Sequence, residues 1–179
     1  MRLETDIQRI EQRAKHQEER NWAFRCFLKG CDLSTKEIDS VVHALNGEVS
    51  TQIDCTKCAN CCKVVQPLLK SRDIKRLARY LNLPEEAFRA QYLQKDDKKQ
   101  GDIFKVRPCP FLHENRCTVY SSRPDDCRSY PHLHKRDFVF RVNQAVSNSS
   151  VCPIVFNVYE RLKRNLWHKD PRPESPEDE

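Results

Sequence analysis

Glycine is scarce in this chain, with only three among 179 residues. Glycine-rich turns cradle phosphates, approach dinucleotides closely and expose a nucleophilic serine after a strand. The sequence contains none of these motifs, so it supports neither a nucleotide-binding nor a serine-hydrolase function. Scarce glycine together with long, polar-periodic segments favours helices.

Long apolar runs are also missing. No segment approaches the about 20 apolar residues that a membrane-spanning helix needs, which predicts that the chain does not cross a membrane. The first twenty residues, MRLETDIQRIEQRAKHQEER, are charged throughout and lack the apolar core of a secretory signal. We therefore expect a cytoplasmic protein, in a compartment where thiols stay reduced.

Charge of one sign is in modest excess, because the formal net charge is +6. A basic chain can bind nucleic acid, but no recognition motif accompanies the charge here. Cysteines that bind metal lose a proton and would offset part of the excess. We therefore do not expect nucleic acid to be a partner.

Apolar residues at helical spacing predict a mainly α fold with a few short β-strands. The predicted helices cover residues 1–30, 34–47, 71–82, 84–93 and 153–167, and the predicted strands cover 103–107 and 137–142. We expect a small, metal-organised single domain. Its parts are a helical extension at 1–50, a cysteine-cluster metal-binding domain at 51–168 and a disordered acidic tail at 169–179.

Cysteine is the residue that the chain has in excess, with ten in all. The run 55-CTKCANCC-62 contains Cys55, Cys58, Cys61 and Cys62. Two residues between thiols let both sulfurs turn toward one ion without backbone strain, as in zinc and iron–sulfur loops. The bacterial ferredoxin pattern fails, because Val65 stands where its fourth cysteine belongs. Adjacent side chains diverge, so Cys61 and Cys62 are not expected to serve one ion equally.

Four more cysteines follow in proline-rich segments, where proline would hold the loops stiff beside a ligand. The segment 112–116 (LHENR) predicts a turn that brings two of them together. The eight candidate metal ligands are Cys55, Cys58, Cys61, Cys62, Cys109, Cys117, Cys127 and Cys152. This number suits two four-cysteine sites, a cluster plus a zinc ion, or a binuclear centre with spare thiols. We expect Cys26 and Cys31 to be buried as small hydrophobic residues.

Other side chains are expected around these thiols. Arg123 and Arg128 could donate hydrogen bonds to sulfur and offset the charge of a cluster, or pair with nearby surface carboxylates. Tyr120 and Tyr130 are expected to pack around the site.

Two histidines follow the last proline of the block. His132 and His134 leave a mixed cysteine and histidine site open, although ordinary loop histidines are the simpler interpretation.

Several motifs together resemble the YkgJ-type cysteine-cluster family. They are CxxCxxCC at 55–62, the block CPFL…CxVYxxRPxxCRxYP at 109–131, the cysteine–proline pair at 152–153 and the segment SxDIxRLA at 71–78. The resemblance covers about residues 54–155. Members of that family are described as zinc- or iron-chelating or as containing an iron–sulfur cluster, so the resemblance implies metal binding.

The sequence therefore predicts a cysteine-rich metal-binding protein that holds a 4Fe–4S cluster or zinc, with a redox or electron-transfer role. Three closely spaced thiols plus a fourth from downstream can wrap a cubane cluster, which favours iron–sulfur. One alternative is a zinc-stapled module that binds a protein partner through the N-terminal helix. Another is a metal-dependent enzyme whose substrate and catalytic residues the sequence does not identify.

Overall fold

The computed structural model describes residues 2–97 and 100–167. This part of the chain is mainly helical with two small two-stranded sheets, which confirms the expected fold class. It divides into two compact units, one of residues 2–53 with 133–167 and one of residues 54–132. The segment from residue 133 onward thus belongs to the same unit as the N-terminal helices. The predicted acidic tail at 169–179 lies outside the described residues.

The helices and strands follow one another in chain order, with a 3₁₀ turn at Tyr120–Ser122. The helices are α1 Ile7–His16, α2 Glu18–Gly30, α3 Thr35–Ser50, α4 Cys55–Cys58, α5 Asn60–Val64, α6 Ser71–Tyr80, α7 Glu85–Tyr92, α8 Asp125–Ser129, α9 Phe138–Ser149 and α10 Pro153–Leu166. The strands are β1 Leu93–Asp96, β2 Gly101–Phe104, β3 Leu112–His113 and β4 Arg116–Cys117. None of the described helices is long and apolar enough to span a bilayer.

The first unit contains α1, α2, α3, α9 and α10 around an apolar core. Helix α10 is buried along most of its length, and its Tyr159 ring packs edge-on against Phe24 with ring centroids 5.4 Å apart. The apolar faces of α1 and α2, including Ile10 and Leu28, are buried within this unit. Aromatic and aliphatic burial of this kind dominates the stability of a helical unit.

A buried ion pair lies in this helical core. The Lys163 amine donates to the side-chain oxygens of Gln17 and Asn21, each at 2.9 Å. It also pairs with the Glu160 carboxylate at 2.6 Å. These bonds offset the desolvation that would otherwise make a buried ammonium unfavourable.

The N-terminal segment differs from the single helix expected over residues 1–30. It forms α1 and α2 with a break at Gln17, and the Asp6 carboxylate caps the start of α1. The prediction for Cys26 was wrong, because this residue is exposed, and Cys31 is half-buried rather than buried.

Helix α3 begins with a capping box formed by Ser34 and Glu37. The Ser34 hydroxyl accepts from the Glu37 backbone N–H, and the Glu37 carboxylate accepts from the Ser34 backbone N–H. The predicted end at Gly47 was wrong, since the helix continues to Ser50 and Gly47 does not have a positive φ.

Residues 137–142 were predicted as a strand but form the beginning of α9. The Asp39 carboxylate of α3 accepts hydrogen bonds from the backbone N–H groups of Asp137 at 2.7 Å and Phe138 at 2.9 Å. Phe138 and Val142 are buried one turn apart, whereas Phe140 between them is 74% exposed. The apparent alternation is therefore the first turn of a helical pattern, and a carboxylate distant in sequence caps it.

The second unit has a smaller core. Its cluster of buried apolar residues comprises Leu69, Ile74, Leu77, Ala78, Phe88, Leu93, Phe104, Phe111 and Val119. Strands β1 and β2 pair antiparallel, with Leu93 opposite Phe104. The predicted strand at 103–107 therefore begins two residues too late, and residues 94–96, where no strand was predicted, form most of β1.

Candidate metal centre

The first cysteine run forms two single-turn helices, α4 and α5. The Asp54 carboxylate caps α4 by accepting a hydrogen bond from the Thr56 N–H at 3.0 Å. Ala59 separates the helices in a left-handed conformation with φ 52°, which ends one helix and redirects the chain into the next. Cys55 and Cys58 consequently lie on α4, and Cys61 and Cys62 lie on α5.

The second cysteine segment contains a tight hairpin. Strands β3 and β4 pair so that Leu112 lies opposite Cys117, and the two turn residues Glu114 and Asn115 have φ 48° and 59°. Two successive left-handed residues are typical of the type I′ turn that suits a two-residue hairpin. The predicted turn at 112–116 is thus confirmed, and it places Cys117 after the turn and Cys109 before it.

A backbone hydrogen bond joins the two cysteine segments. The Cys109 N–H donates to the Cys62 carbonyl at 2.9 Å, although the two residues are far apart in sequence. Cys109 and Cys117 also pack against the apolar cluster of this unit. The core therefore holds both cysteines of the hairpin segment beside Cys62.

The third segment contributes Cys127 on α8, next to a carboxylate with two partners. Asp126 accepts a hydrogen bond from the Leu68 N–H at 3.1 Å, and its other oxygen lies 3.4 Å from Nε2 of the buried His132. His132 thus lies beside a carboxylate, whereas His134 is exposed and belongs to the first unit. The sequence analysis did not single out Asp126, because nothing in the local sequence distinguishes it from an ordinary surface carboxylate.

Four thiols of the second unit interact electrostatically: Cys62, Cys109, Cys117 and Cys127. The pKa of Cys109 is raised to about 11, chiefly by burial and also by negative charge on Cys62 and Cys117, against a backbone hydrogen bond at Phe111 that lowers it. Burial raises the pKa of Cys127 most strongly, and the charges of the other three cysteines act in the same direction. Three separate segments of the chain therefore bring their thiols within mutual electrostatic range.

Cys62 differs from the other three. The pKa of Cys62 is lowered to about 7, chiefly by a hydrogen bond with the Cys61 side chain and also by the charge of Arg123, against the opposing effect of burial. Burial raises the pKa of Cys117, while the charge of Arg123 lowers it. The Arg123 guanidinium lies 3.9 Å above the centre of the Tyr120 ring. This arginine thus places a positive charge near two of the thiols.

The remaining side chains expected around the thiols have other contacts. The Arg128 guanidinium donates to the Arg123 carbonyl at 3.0 Å and to the Ser121 carbonyl. The Tyr130 ring packs edge-on against His132, with ring centroids 5.8 Å apart. Arg128 therefore stabilises the backbone before Cys127 by donating hydrogen bonds to two of its carbonyl oxygens.

The other candidate ligands lie elsewhere. Cys55 is exposed and Cys58 is half-buried on α4, while Cys152 is buried in the first unit immediately before α10. All ten cysteines are thiols rather than disulfides. The assignment of all eight cysteines as metal ligands stays a prediction.

The donor chemistry of the four thiols fits zinc and iron, because both ions take thiolate ligands and four-cysteine sets are typical of zinc sites and iron–sulfur clusters. Within residues 2–97 and 100–167, no group of three or more histidine, cysteine or acidic side chains is arranged to hold a metal ion.

Comparison with known proteins gives one match. No curated protein and no solved structure is significantly similar to the chain. The family model "CxxCxxCC: Putative zinc- or iron-chelating domain" matches residues 54–153. The match spans the whole second unit and continues through α9, so it includes all eight candidate cysteines and confirms the resemblance to a cysteine-cluster family. With more than half of its length matched, the chain belongs to the CxxCxxCC family of zinc- or iron-chelating domains.

Proposed function

We propose that the protein binds an iron–sulfur cluster or a zinc ion through Cys62, Cys109, Cys117 and Cys127. The observation that carries this proposal is that the Cys109 N–H bonds the Cys62 carbonyl while Cys109 and Cys117 pack against one apolar cluster. The charges of these three cysteines also raise the pKa of the partly buried Cys127. Several thiolates in such a place repel each other unless a cation offsets their charge. The proposal requires that the side chains rotate so that the four sulfurs meet on one metal.

Such a centre would have two roles. It would tie the hairpin and α8 to the first cysteine run, so that metal binding contributes directly to the stability of the second unit. An iron–sulfur cluster would also support redox or electron-transfer chemistry, and the nearby Arg123 charge would raise its reduction potential. We propose Cys55, Cys58 and Cys61 as further ligands or as thiols for a second ion, and Cys152 stays a predicted ligand.

The deciding experiment is elemental analysis with a visible spectrum on protein purified without oxygen. A brown protein with iron and acid-labile sulfide identifies a cluster, whereas a colourless protein with stoichiometric zinc identifies a zinc site. Folded protein that contains neither metal, or mass spectra that show the cysteines joined as disulfides, would contradict the proposal.

Single substitutions then locate the site. Cys109→Ser and Cys127→Ser should each reduce metal per chain by more than half, because a missing thiolate leaves the set incomplete. Cys26→Ser is the matched control, since Cys26 is an exposed thiol of the first unit. If all three variants contained as much metal as the wild type, Cys109 and Cys127 would not be ligands.

A further inference from the structure

A buried carboxylate anchors the segment that leads to Cys127. Asp73 on α6 is completely buried. One of its oxygens accepts from the Arg76 guanidinium at 2.6 Å and from the Asp125 backbone N–H at 3.0 Å, and the other accepts from the Lys70 N–H at 2.9 Å. A buried charge is stable only when it is bonded in this way, so removal of any partner is costly.

Arg76 extends the same network. Besides Asp73, its guanidinium donates to the Asp125 carboxylate at 3.0 Å and to the carbonyls of Arg123 at 2.9 Å and Ser122 at 3.2 Å. One side chain of α6 therefore bonds three residues of the segment that leads into α8. The planar fork of arginine suits this task, because its N–H groups point at several acceptors at once.

Helix α8 needs such support. It has five residues, and isolated helices of this length are not stable in water. The position of Cys127 must therefore come from contacts outside α8, and the Asp73 bond to the Asp125 N–H anchors its first turn. The backbone of Arg123, whose charge acts on Cys62 and Cys117, is held by the same arginine.

We infer that Asp73 and Arg76 are positioning residues of the metal centre, which hold Cys127 and Arg123 where the other thiols can join them on one metal. This inference rests on the proposed function. Both residues belong to the segment at 71–78, which contains no cysteine and no side chain that binds soft metals well. Their contribution acts through backbone position rather than through ligation.

The test is a cobalt(II) titration of the full-length chain, reduced and freed of metal with a chelator under anaerobic conditions. Absorbance from sulfur-to-cobalt charge transfer reports how many thiolates bind each ion. Arg76→Gln and Asp73→Asn should weaken cobalt binding about 10- to 100-fold, the usual effect of losing a partner that orients a ligand. They should also lower the charge-transfer absorbance per bound cobalt by about one quarter, as expected when one thiolate of four is lost.

Two further variants sharpen the result. Arg76→Lys should not restore binding, because one amine cannot reach the carboxylates and both carbonyls together. Asp125→Asn keeps the backbone N–H that bonds Asp73 and serves if Arg76→Gln fails to fold, as judged by far-ultraviolet circular dichroism. We expect it to weaken cobalt binding in the same direction but less.

Arg89→Gln is the matched control. Arg89 bonds Asp102 at 2.7 Å in the same unit, so this pair joins α7 to β2 rather than α6 to the segment before Cys127. This variant should bind cobalt within about twofold of the wild type, because its partner does not orient a ligand.

The outcomes separate the inference from the proposed function. Wild-type protein that takes up no cobalt through thiolates overturns the proposed function and this inference with it. Wild-type protein that binds, together with Arg76→Gln and Asp125→Asn variants that bind equally well, overturns the inference alone. An equal loss in Arg89→Gln would also overturn it, since general loosening of the unit would then explain the effect.

Discussion

The first unit buries large side chains on five regular helices, whereas the second surrounds a cluster of nine buried apolar residues with mostly short elements. Three of the ten cysteines lie in the first unit and seven in the second. Regular helices satisfy their own backbone groups, but single-turn helices and two-residue strands need partners from outside. The second unit obtains them from side chains such as Asp73, Arg76 and Asp126. The stability of the second unit should therefore depend on side-chain hydrogen bonds and on metal. The stability of the first unit should depend on apolar burial.

Metal removal should produce the largest difference in stability between the two units. Structural zinc contributes about 10–16 kcal/mol to small metal-dependent domains, so a chelator should loosen residues 54–132 far more than the helical unit. Hydrogen exchange read by mass spectrometry measures this directly. Amides of α10 should keep their protection while those of β3, β4 and α8 lose it. Uniform loosening of the whole chain would end the distinction between the units.

A matched pair of core substitutions tests the same difference. Phe24 in the first unit and Phe88 in the second are both completely buried, so replacing either with alanine should cost about 3–5 kcal/mol. Phe88→Ala should also lower metal content, because Phe88 belongs to the apolar cluster against which Cys109 and Cys117 pack. Elemental analysis and thermal unfolding of both variants check this. A metal loss in Phe24→Ala as large as that in Phe88→Ala would contradict it.

The buried ion pair of the first unit gives a smaller expected effect. Lys163→Met should cost about 3 kcal/mol, because it leaves the Glu160 carboxylate buried without its cation. The double variant with Glu160→Gln should recover most of this loss, since no unpaired charge then remains. Urea unfolding of the single and double variants measures the difference. A double variant as unstable as Lys163→Met would show that packing rather than charge explains the loss.

The smallest effect is expected at the capping box of α3. Ser34→Ala should cost about 1 kcal/mol, the usual value for an N-cap serine. Hydrogen bonds from the Ser34 side chain and backbone lower the pKa of Glu37, so this stabilisation is present at neutral pH and is lost as pH falls through the glutamate range. The stability difference between wild type and Ser34→Ala should therefore shrink in acid. A difference that stays constant would exclude the charged cap.

Local patterns were sufficient for several features. The Ser34 capping box, the turn at 112–116 and the mainly α fold follow from interactions among residues within a few positions of one another. Long-range contacts explain the errors. Asp39, which lies on α3, accepts hydrogen bonds from the backbone of Asp137 and Phe138 and so caps α9. This distant contact supports a helix where the local sequence pattern predicted a strand.

The spacing of its cysteines already marks this chain as a metal-binding protein, because thiols two residues apart can reach one ion whatever the rest of the fold does. Spacing could not show which of eight cysteines meet. Which cysteines come together depends on contacts between remote segments. Examples are the bond from the Cys109 N–H to the Cys62 carbonyl and the hydrogen bonds from Arg76 to the segment before Cys127. Such contacts join residues that the tertiary fold brings together from far apart in the chain, which is why they leave no local pattern in the sequence.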